Sequence, residues 1–458
     1  MNASKVLTKK QLWLLIVLLA VLAAGFAVDY LNTAIVLLSI LTVFYLVNIV
    51  FSFHLTWRSI FYSKEIKIDS SRFDEIHSSY WPRYTILCPL YKEANILPDF
   101  VESIERLDYP KDRLECLLLL ESDDRSTIQA AKELNLPPHF KIVEIPDSQP
   151  KTKPKACNIG LALAKGDFVV IYDAEDQAEP DQLKKAVVAF YKSESNVACI
   201  QAKLNFYNPG QNILTKLFTS EYTLWFDLIL PGLQSIDAPI PLGGTSNHFR
   251  KAALAKLGGW DPYNVTEDCD LGVRLKLAGY KTEILDSITY EEANSNLKNW
   301  LRQRSRWVKG YFQTFLVHTR KPIRLIREMG PKNSLIFVLV SGFLPFANLV
   351  NPLFWATTIA YFVFRPQIGG FIEMFFPPVL LYLSVICLIL GNFLFIYNYL
   401  VAAAKKGFDR YTKYGLLMPL CWLLISMAGW YALFQLILKP HYWEKTKHGL
   451  MKKEHIHV

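Results

Sequence analysis

Seven cysteines, at 88, 116, 157, 199, 269, 387 and 421, include no pair at the short spacing that metal sites and redox motifs use. That absence excludes zinc-ribbon and thioredoxin-like chemistry, and the odd total argues against a disulfide framework. Reduced, mostly structural cysteines place the polar part of the chain in the cytoplasm. Internal repeats, low-complexity linkers and coiled-coil segments are also missing, so a solenoid or an added regulatory arm is not expected. No nucleic-acid motif accompanies the net charge of +9, because the basic residues gather beside apolar segments, where positive-inside topology accounts for them. What is abundant is apolar sequence. At 52% hydrophobic residues and a mean hydropathy of +0.17 the chain is too apolar for an ordinary soluble protein. At 20% charged residues it is too polar for a pure membrane bundle, so a polar domain joined to membrane helices is expected.

Residues 12–28 and 33–53 are apolar runs parted by Asp29-Tyr30-Leu31-Asn32, which reads as a membrane hairpin occupying 1–60. Each run approaches the ~20 residues that a bilayer crossing requires. Lys5, Lys9 and Lys10 before the first run resemble a signal-peptide start, but the second run favours a retained hairpin. Cations at both ends, including Arg58 and Lys64, put both ends in the cytoplasm. From 334 to 438 come apolar runs near 334–364, 375–404 and 416–438, then a basic tail over 439–458. Three crossings would leave that tail outside, whereas Lys405-Lys406 and Lys445 to Lys453 look cytoplasmic. A broken or re-entrant segment would restore an even count, and Pro345 and Pro352 permit a kink or a broken hairpin in the first run.

Between about 82 and 290 short apolar strands alternate with helical stretches, the pattern of an α/β domain. Strands are expected at 84–88, 117–120, 141–145 and 168–172, with helices around 95–107, 126–135, 156–165 and 181–192. In such sheets ligands bind beyond the carboxyl ends of strands.

Trp300-Leu301-Arg302-Gln303-Arg304-Ser305-Arg306-Trp307 crowds three arginines and two tryptophans into eight residues. Guanidinium groups form bidentate bonds to phosphate, and indoles stack on sugar faces. An interfacial helix meeting lipid headgroups would use the same residue types. Val170-Ile171-Tyr172-Asp173-Ala174-Glu175-Asp176 ends an apolar strand in carboxylates that suit a hard divalent cation, although an acidic helix cap would read the same way. Thr266-Glu267-Asp268 follows Gly258-Gly259-Trp260-Asp261 and offers a carboxylate for general-base work or, equally, acids at a helix start.

The Gln303-Arg304-x-Arg306-Trp307 pattern resembles the signature of processive family 2 glycosyltransferases, the cellulose and hyaluronan synthase superfamily. Asp173, Asp268 and Gln303 occur in order at separations of 95 and 35, each inside its own motif, and the resemblance extends over roughly residues 82–320, with interfacial helices to about 333. Arg306 to Gln313 and Trp443 to Gly449 look like a bacterial cellulose-synthase-like subgroup. The resemblance implies a GT-A domain, a Rossmann-like nucleotide-binding sheet, inserted between N-terminal and C-terminal transmembrane helices. It also implies an inverting transfer from a nucleotide sugar, a UDP sugar such as UDP-glucose, to a saccharide or glycolipid acceptor at the inner membrane, with Mg²⁺ or Mn²⁺ as cofactor and membrane lipid but no nucleic acid as partner.

Carried over residue by residue, Asp268 is the catalytic base and Asp173 and Glu175 hold metal, with Asp176 an alternative because Glu175 replaces the familiar second Asp. Pro89, Tyr91 and Glu93 hold the nucleoside together with Glu121 or Asp123. Lys153, Lys155 and Asn158 match a Lys-x-x-Ala-Leu-Asn element facing the diphosphate. Gly244 and Thr245 allow close approach of the sugar. Arg304 and Arg306 bind the diphosphate, Gln303 is a further substrate-binding residue, and Trp307 stacks beneath the acceptor's terminal sugar. Trp443, Thr446 and Lys447 resemble an element that folds over nucleotide in hyaluronan synthases, against which stands a plain membrane-interface Trp with a positive tail. A single-transfer enzyme acting on a lipid or polyprenyl phosphate would share the Asp-x-Asp core, and a transporter or receptor with a nucleotide-binding domain is the rival from another class.

Overall fold

The computed structural model describes residues 2–71, 73–75, 77–405, 413–446 and 449. Lys406, Lys447, His448 and Lys453, invoked above, lie outside the described residues.

Eight strands form one mixed sheet: Tyr84–Leu90 (β1), Leu114–Glu121 (β2), Phe140–Ile145 (β3), Phe168–Ile171 (β4), Gln177–Ala178 (β5), Val197–Phe206 (β6), Asn247–Arg250 (β7) and Lys281–Glu291 (β8). Their order is β3-β2-β1-β4-β7-β6-β8-β5. β1 pairs in parallel with both β2 and β4, while β7 runs antiparallel between β4 and β6. The chain therefore leaves β1 to one side for β2 and β3, then returns to its other side for β4. Helices covering both faces explain why β1, β2 and β4 read as unbroken apolar runs rather than as alternating patterns. The reversal opens a crevice at the carboxyl ends of β1 and β4, the place where open sheets of this kind hold ligands.

The four expected strands and four expected helices are present. β6, β7 and β8 were not expected individually, because β6 is buried along its whole length and carries Gln201, Lys203 and Asn205, which break an apolar run. This GT-A-like mixed α/β domain sits between apolar helices at both ends of the chain, an arrangement of a membrane-associated protein.

Among the described residues five helices are long and apolar enough to cross a membrane: Lys9–Val28, Tyr30–Phe61, Pro331–Val363, Pro378–Lys405 and Lys413–Leu438. Thr8 caps the first through a capping box with Gln11, and Asp29 caps the second. Contacts show which ends meet the α/β unit. Arg320 donates to the carbonyl of Asn2 just before the first helix (3.0 Å), and Arg58 donates to Ser235 at the end of the second (3.2 Å). Lys405 ends the fourth and donates to the Asp227 carbonyl (2.8 Å).

The run expected near 334–364 is one continuous helix, not a broken hairpin. A π-helical turn at Val338–Phe343 precedes Pro345, and that slack lets the proline sit in the first turn of Leu344–Val363. The helix that departs from a simple crossing is the last. At its start Lys216 of the α/β unit lies 5.0 Å from the ring centre of Tyr414, and beyond its end Gln313 donates to the Pro440 carbonyl (2.7 Å). Both ends of Lys413–Leu438 therefore rest on the α/β unit.

Candidate active site

β1 ends in Pro89-Leu90-Tyr91, β2 in Glu121, and β4 in the turn carrying Asp173 and Glu175, so three adjacent strands deliver their C-terminal residues to one crevice. Opposite them stand two helices, Glu267–Leu277 and Leu297–His318. Between them lies one end of a cavity of about 860 Å³, lined here by Pro89, Tyr91, Glu93, Glu121, Lys153, Asp173, Glu175, Gly244, Asp268, Gln303, Arg304, Arg306 and Trp307. Most of the expected site residues thus meet at the wall of one cavity.

Asp123, Lys155, Asn158 and Thr245 do not reach that wall. Asp123 is half-exposed and pairs with Lys151 (2.9 Å). Lys155 pairs with Glu121 (2.9 Å), so of the two acids weighed for the nucleoside it is Glu121 that lines the cavity. Asn158 both donates to and accepts from the Trp260 backbone (2.8 and 2.9 Å), bracing the turn at Gly259, whose φ of +69° suits glycine. Thr245 is buried and donates to the Ile171 carbonyl (2.9 Å) and to Asp176. These four differ from the expected placement: Asp123 and Lys155 pair with Lys151 and Glu121, which line the cavity, whereas Asn158 and Thr245 are used by backbone and by Asp176 behind it.

The acidic turn divides its labour. Asp176 is buried, accepts the Asp173 N–H (2.7 Å), and is pushed well above the ordinary carboxylate range by burial and then by Asp173, Glu291 and Glu175. It holds the turn shut, while Asp173 and Glu175 face the cavity. Among the described residues no group of three or more His, Cys, Asp or Glu side chains is arranged to hold a metal ion. Two carboxylates facing a cavity nevertheless fit a hard divalent ion, which is commonly held by one or two protein carboxylates with the rest of its shell from water and substrate phosphate. Lys153 lies against the same carboxylate, its ammonium 2.5 Å from Asp173 and 2.8 Å from the Gly244 carbonyl.

Asp268 sits in the first turn of Glu267–Leu277 and accepts the Cys269 N–H (2.7 Å). Burial raises its pKa, against the Cys269 N–H, Lys153 and Arg306, which pull it down. Burial and then the adjacent Asp268 raise Glu267 to about 8. Two neighbouring carboxylates in one dry pocket do not ionise together easily, so their protons are shared unequally. A Cβ on Gly244 would come 3.4 Å from Asp268 Oδ2, so glycine there keeps the space before that oxygen open.

Arg306 donates to the Val265 carbonyl (3.2 Å) and lies 4.7 Å from the ring centre of Trp443, while its Nε and the Oε1 of Gln303 make no hydrogen bond. Arg304 behaves differently, forming a two-pronged ion pair with Glu221 beneath the ring of Trp307. That pair commits the guanidinium inside the protein, so Arg304 supports Trp307 rather than facing a diphosphate. Trp307 lies across Tyr222, ring centres 6.1 Å apart.

Sequence reasoning missed Glu221, Tyr222, Glu291 and Glu292 on the cavity wall. The signal was weak, an acid and aromatics in an ordinary amphipathic helix and acids at the end of an unforeseen strand. The tail is on the wall as well: Trp443, Lys445 and Thr446 line the cavity, and Lys445 pairs with Glu93 (3.0 Å).

Fold and site together describe a class, an α/β domain whose strand ends carry acids and whose flanking helix carries arginine and tryptophan, set against apolar helices. The chain belongs to glycosyl transferase family group 2, whose family model matches residues 168–396, half of the chain. Over 235 residues, 50% of this chain and 55% of the relative, it is 29% identical to "Probable glycosyltransferase YdaM" of Bacillus subtilis. It is 28% identical to "Glucomannan 4-beta-mannosyltransferase 2" of Arabidopsis thaliana over 52% of this chain and 46% of the relative. To "Beta-monoglucosyldiacylglycerol synthase" of Nostoc sp. it is 27% identical over 59% of this chain and 58% of the relative. The chain spans about half the length of the curated relatives it matches.

Proposed function

We propose that the chain is a membrane-embedded, inverting β-glycosyltransferase that moves sugar from a nucleotide sugar, a UDP sugar such as UDP-glucose, onto the end of a growing saccharide. One observation carries the reading: the cavity holding Asp173, Asp268, Arg306 and Trp307 continues between the apolar helices, where Asn48, Asn348, Asn351 and Asn398 line it beside Trp355 and Phe395. Amides inside membrane helices are unfavourable unless they line a polar path, and a carbohydrate chain presents both hydroxyls for amides and C–H faces for rings.

In this reading the nucleoside rests among Pro89, Tyr91, Glu93 and Glu121. Arg306, Lys153 and Gln303 face the diphosphate, offsetting the charge that develops as it leaves. Asp173 and Glu175 would hold Mg²⁺ or Mn²⁺, which when bound would supply further charge to the leaving group. Asp268 takes the proton of the acceptor hydroxyl, which then attacks the anomeric carbon from the face opposite the departing diphosphate. Trp307, set by Arg304 and Tyr222, supports the acceptor's terminal sugar. Trp443 and Thr446 close the site from the tail and exclude water.

Four crossings and a fifth apolar helix that lies on the α/β unit return the tail to the side of that unit, the cytoplasmic face of the inner membrane. The contacts of Tyr414, Pro440 and Lys445 support this topology, and it removes the odd count of crossings.

The second reading is transfer of a single sugar to a lipid, favoured by the likeness to the Nostoc glucosyldiacylglycerol enzyme. The purified chain, given Mn²⁺, UDP-glucose, UDP-N-acetylglucosamine or GDP-mannose, and either oligosaccharide or diacylglycerol, separates the two by product size and linkage.

A further inference from the structure

The helix Leu297–His318 does more than carry Gln303 to Trp307. From Arg306 onward its residues are joined to the segment on either side of Asp268. Arg306 donates to the Val265 carbonyl (3.2 Å), Asn264 donates to Thr314 (3.0 Å), and His318 bonds Asp270 (2.8 Å). Gly310 permits this approach, since a Cβ there would lie 2.2 Å from the Thr266 hydroxyl. The C-terminal tail is joined along the same helix: Lys309 donates to the Tyr442 carbonyl (2.8 Å) and to Gln435 (2.9 Å).

Arg306 lies against Trp443 as well, and His441 bonds the Tyr263 carbonyl (3.2 Å), but Gln313 hydrogen-bonds the backbone of both segments at once. Gln313 is fully buried, accepts the Val265 N–H at Oε1 (3.0 Å), and donates from Nε2 to the Pro440 carbonyl (2.7 Å). Val265 lies three residues before Asp268, and Pro440 three before Trp443. A buried amide with both ends used is a rigid strut, because turning it to suit one partner leaves the other buried and unmet.

We propose that Gln313 is a positioning residue that couples closure of the tail over the donor to the placement of Asp268. It touches neither donor nor acceptor. With the tail docked, the amide is held in the orientation that accepts the Val265 N–H, and the loop carrying Asp268 is fixed. With the tail lifted, Pro440 releases the amide and the loop loosens. The proton acceptor is thus fully ordered only when the site is closed, which limits transfer of the sugar to water. The proposal rests on the functional reading above for its consequence and on the two hydrogen bonds for its mechanism.

The test uses the full chain in detergent, native and Gln313→Met, which keeps the volume and removes both bonds. Backbone hydrogen exchange is read for peptides covering 262–270 and 440–446. Nucleotide release is read with whichever of UDP-glucose, UDP-N-acetylglucosamine and GDP-mannose the native protein turns over. Both peptides should exchange about fivefold or more faster, because each loses a hydrogen bond that holds it closed. kcat should fall at least tenfold while donor KM stays within threefold. The acid limb of the kcat profile should move, since the surroundings of Asp268 change. Where Gln313→Met does not give a monodisperse protein, Gln313→Asn serves: its amide is one methylene too short to span both partners, and the same split is expected. Loosening of only one peptide, or loosening of both with kcat and its acid limb unchanged, overturns the proposal. The exchange measurement needs no substrate. Failure of every donor to turn over would therefore count against the functional reading, while absent coupling in exchange would count against Gln313.

Discussion

The guanidinium of Arg304 lies 4.8 Å from the ring centre of Trp307 and is held there by both oxygens of Glu221. A cation pinned under an indole fixes the plane of the ring, and a planar fork does this where an ammonium does not. Arg304→Lys should therefore lower elongation about tenfold with little change in donor KM, because the acceptor platform tilts while the diphosphate contacts stay. A large rise in donor KM, measured by initial rates, would return Arg304 to the donor side.

Trp307→Ala removes the platform itself. Saccharide extension should fall far more than slow hydrolysis of donor by water, measured in one reaction by product sizing and nucleotide release. Equal loss of both would place the indole at the donor.

Asp268→Asn keeps shape and removes the proton acceptor. Turnover should fall by about 10²–10⁴, the usual worth of a positioned base, with donor affinity by calorimetry preserved. In the native protein burial holds the Asp268 carboxyl above its ordinary value, and a protonated carboxyl cannot serve as the proposed base. Activity should therefore fall with decreasing pH at a point above the usual carboxylate range. A profile flat down to that range, or donor binding lost with turnover kept, would remove the assignment.

For Asp173→Ala, activation by Mn²⁺ and donor affinity should fall together, since one bridged diphosphate links them. Activation unchanged at full donor occupancy would count against a metal at this carboxylate.

Asp270 is buried between Arg274 (2.8 Å) and His318 (2.8 Å). Burial alone would raise its pKa, but Arg274 and His318 outweigh burial and hold it at about 2. Removing one member of such a buried group costs about 3–5 kcal/mol, so Asp270→Asn should lower the unfolding midpoint at neutral pH. The folded pKa lies below the ordinary value of 3.8, so the stabilisation is present above that value and is lost as pH falls towards about 2. The gap between native and variant should close over that window, and a gap independent of pH would show that packing, not charge, is lost.

The sequence made the parallel half of the sheet legible, because β1, β2 and β4 are short apolar runs ending in polar loops. It also pointed to Asp173, Asp268 and Trp307, which the fold brings to the lining of one cavity. Asn158 and Thr245 were misread because a polar side chain beside a glycine turn looks alike whether it meets ligand or backbone. Arg304 was misread because its partner Glu221 lies 83 residues away, on a helix with no motif. The resting place of Lys413–Leu438 was hidden for a similar reason: hydropathy measures how apolar a helix is, and the contacts of its two ends are set by the fold.

The most direct measurement is made on the purified chain in lipid nanodiscs with Mn²⁺, the three nucleotide sugars and short oligosaccharide primers, followed by mass and linkage of the products. The expected result is a ladder of β-linked oligomers longer than the primer from one of the donors, abolished by Asp268→Asn. Products that never exceed one added sugar and sit only on lipid, or no transfer from any nucleotide sugar, would contradict it.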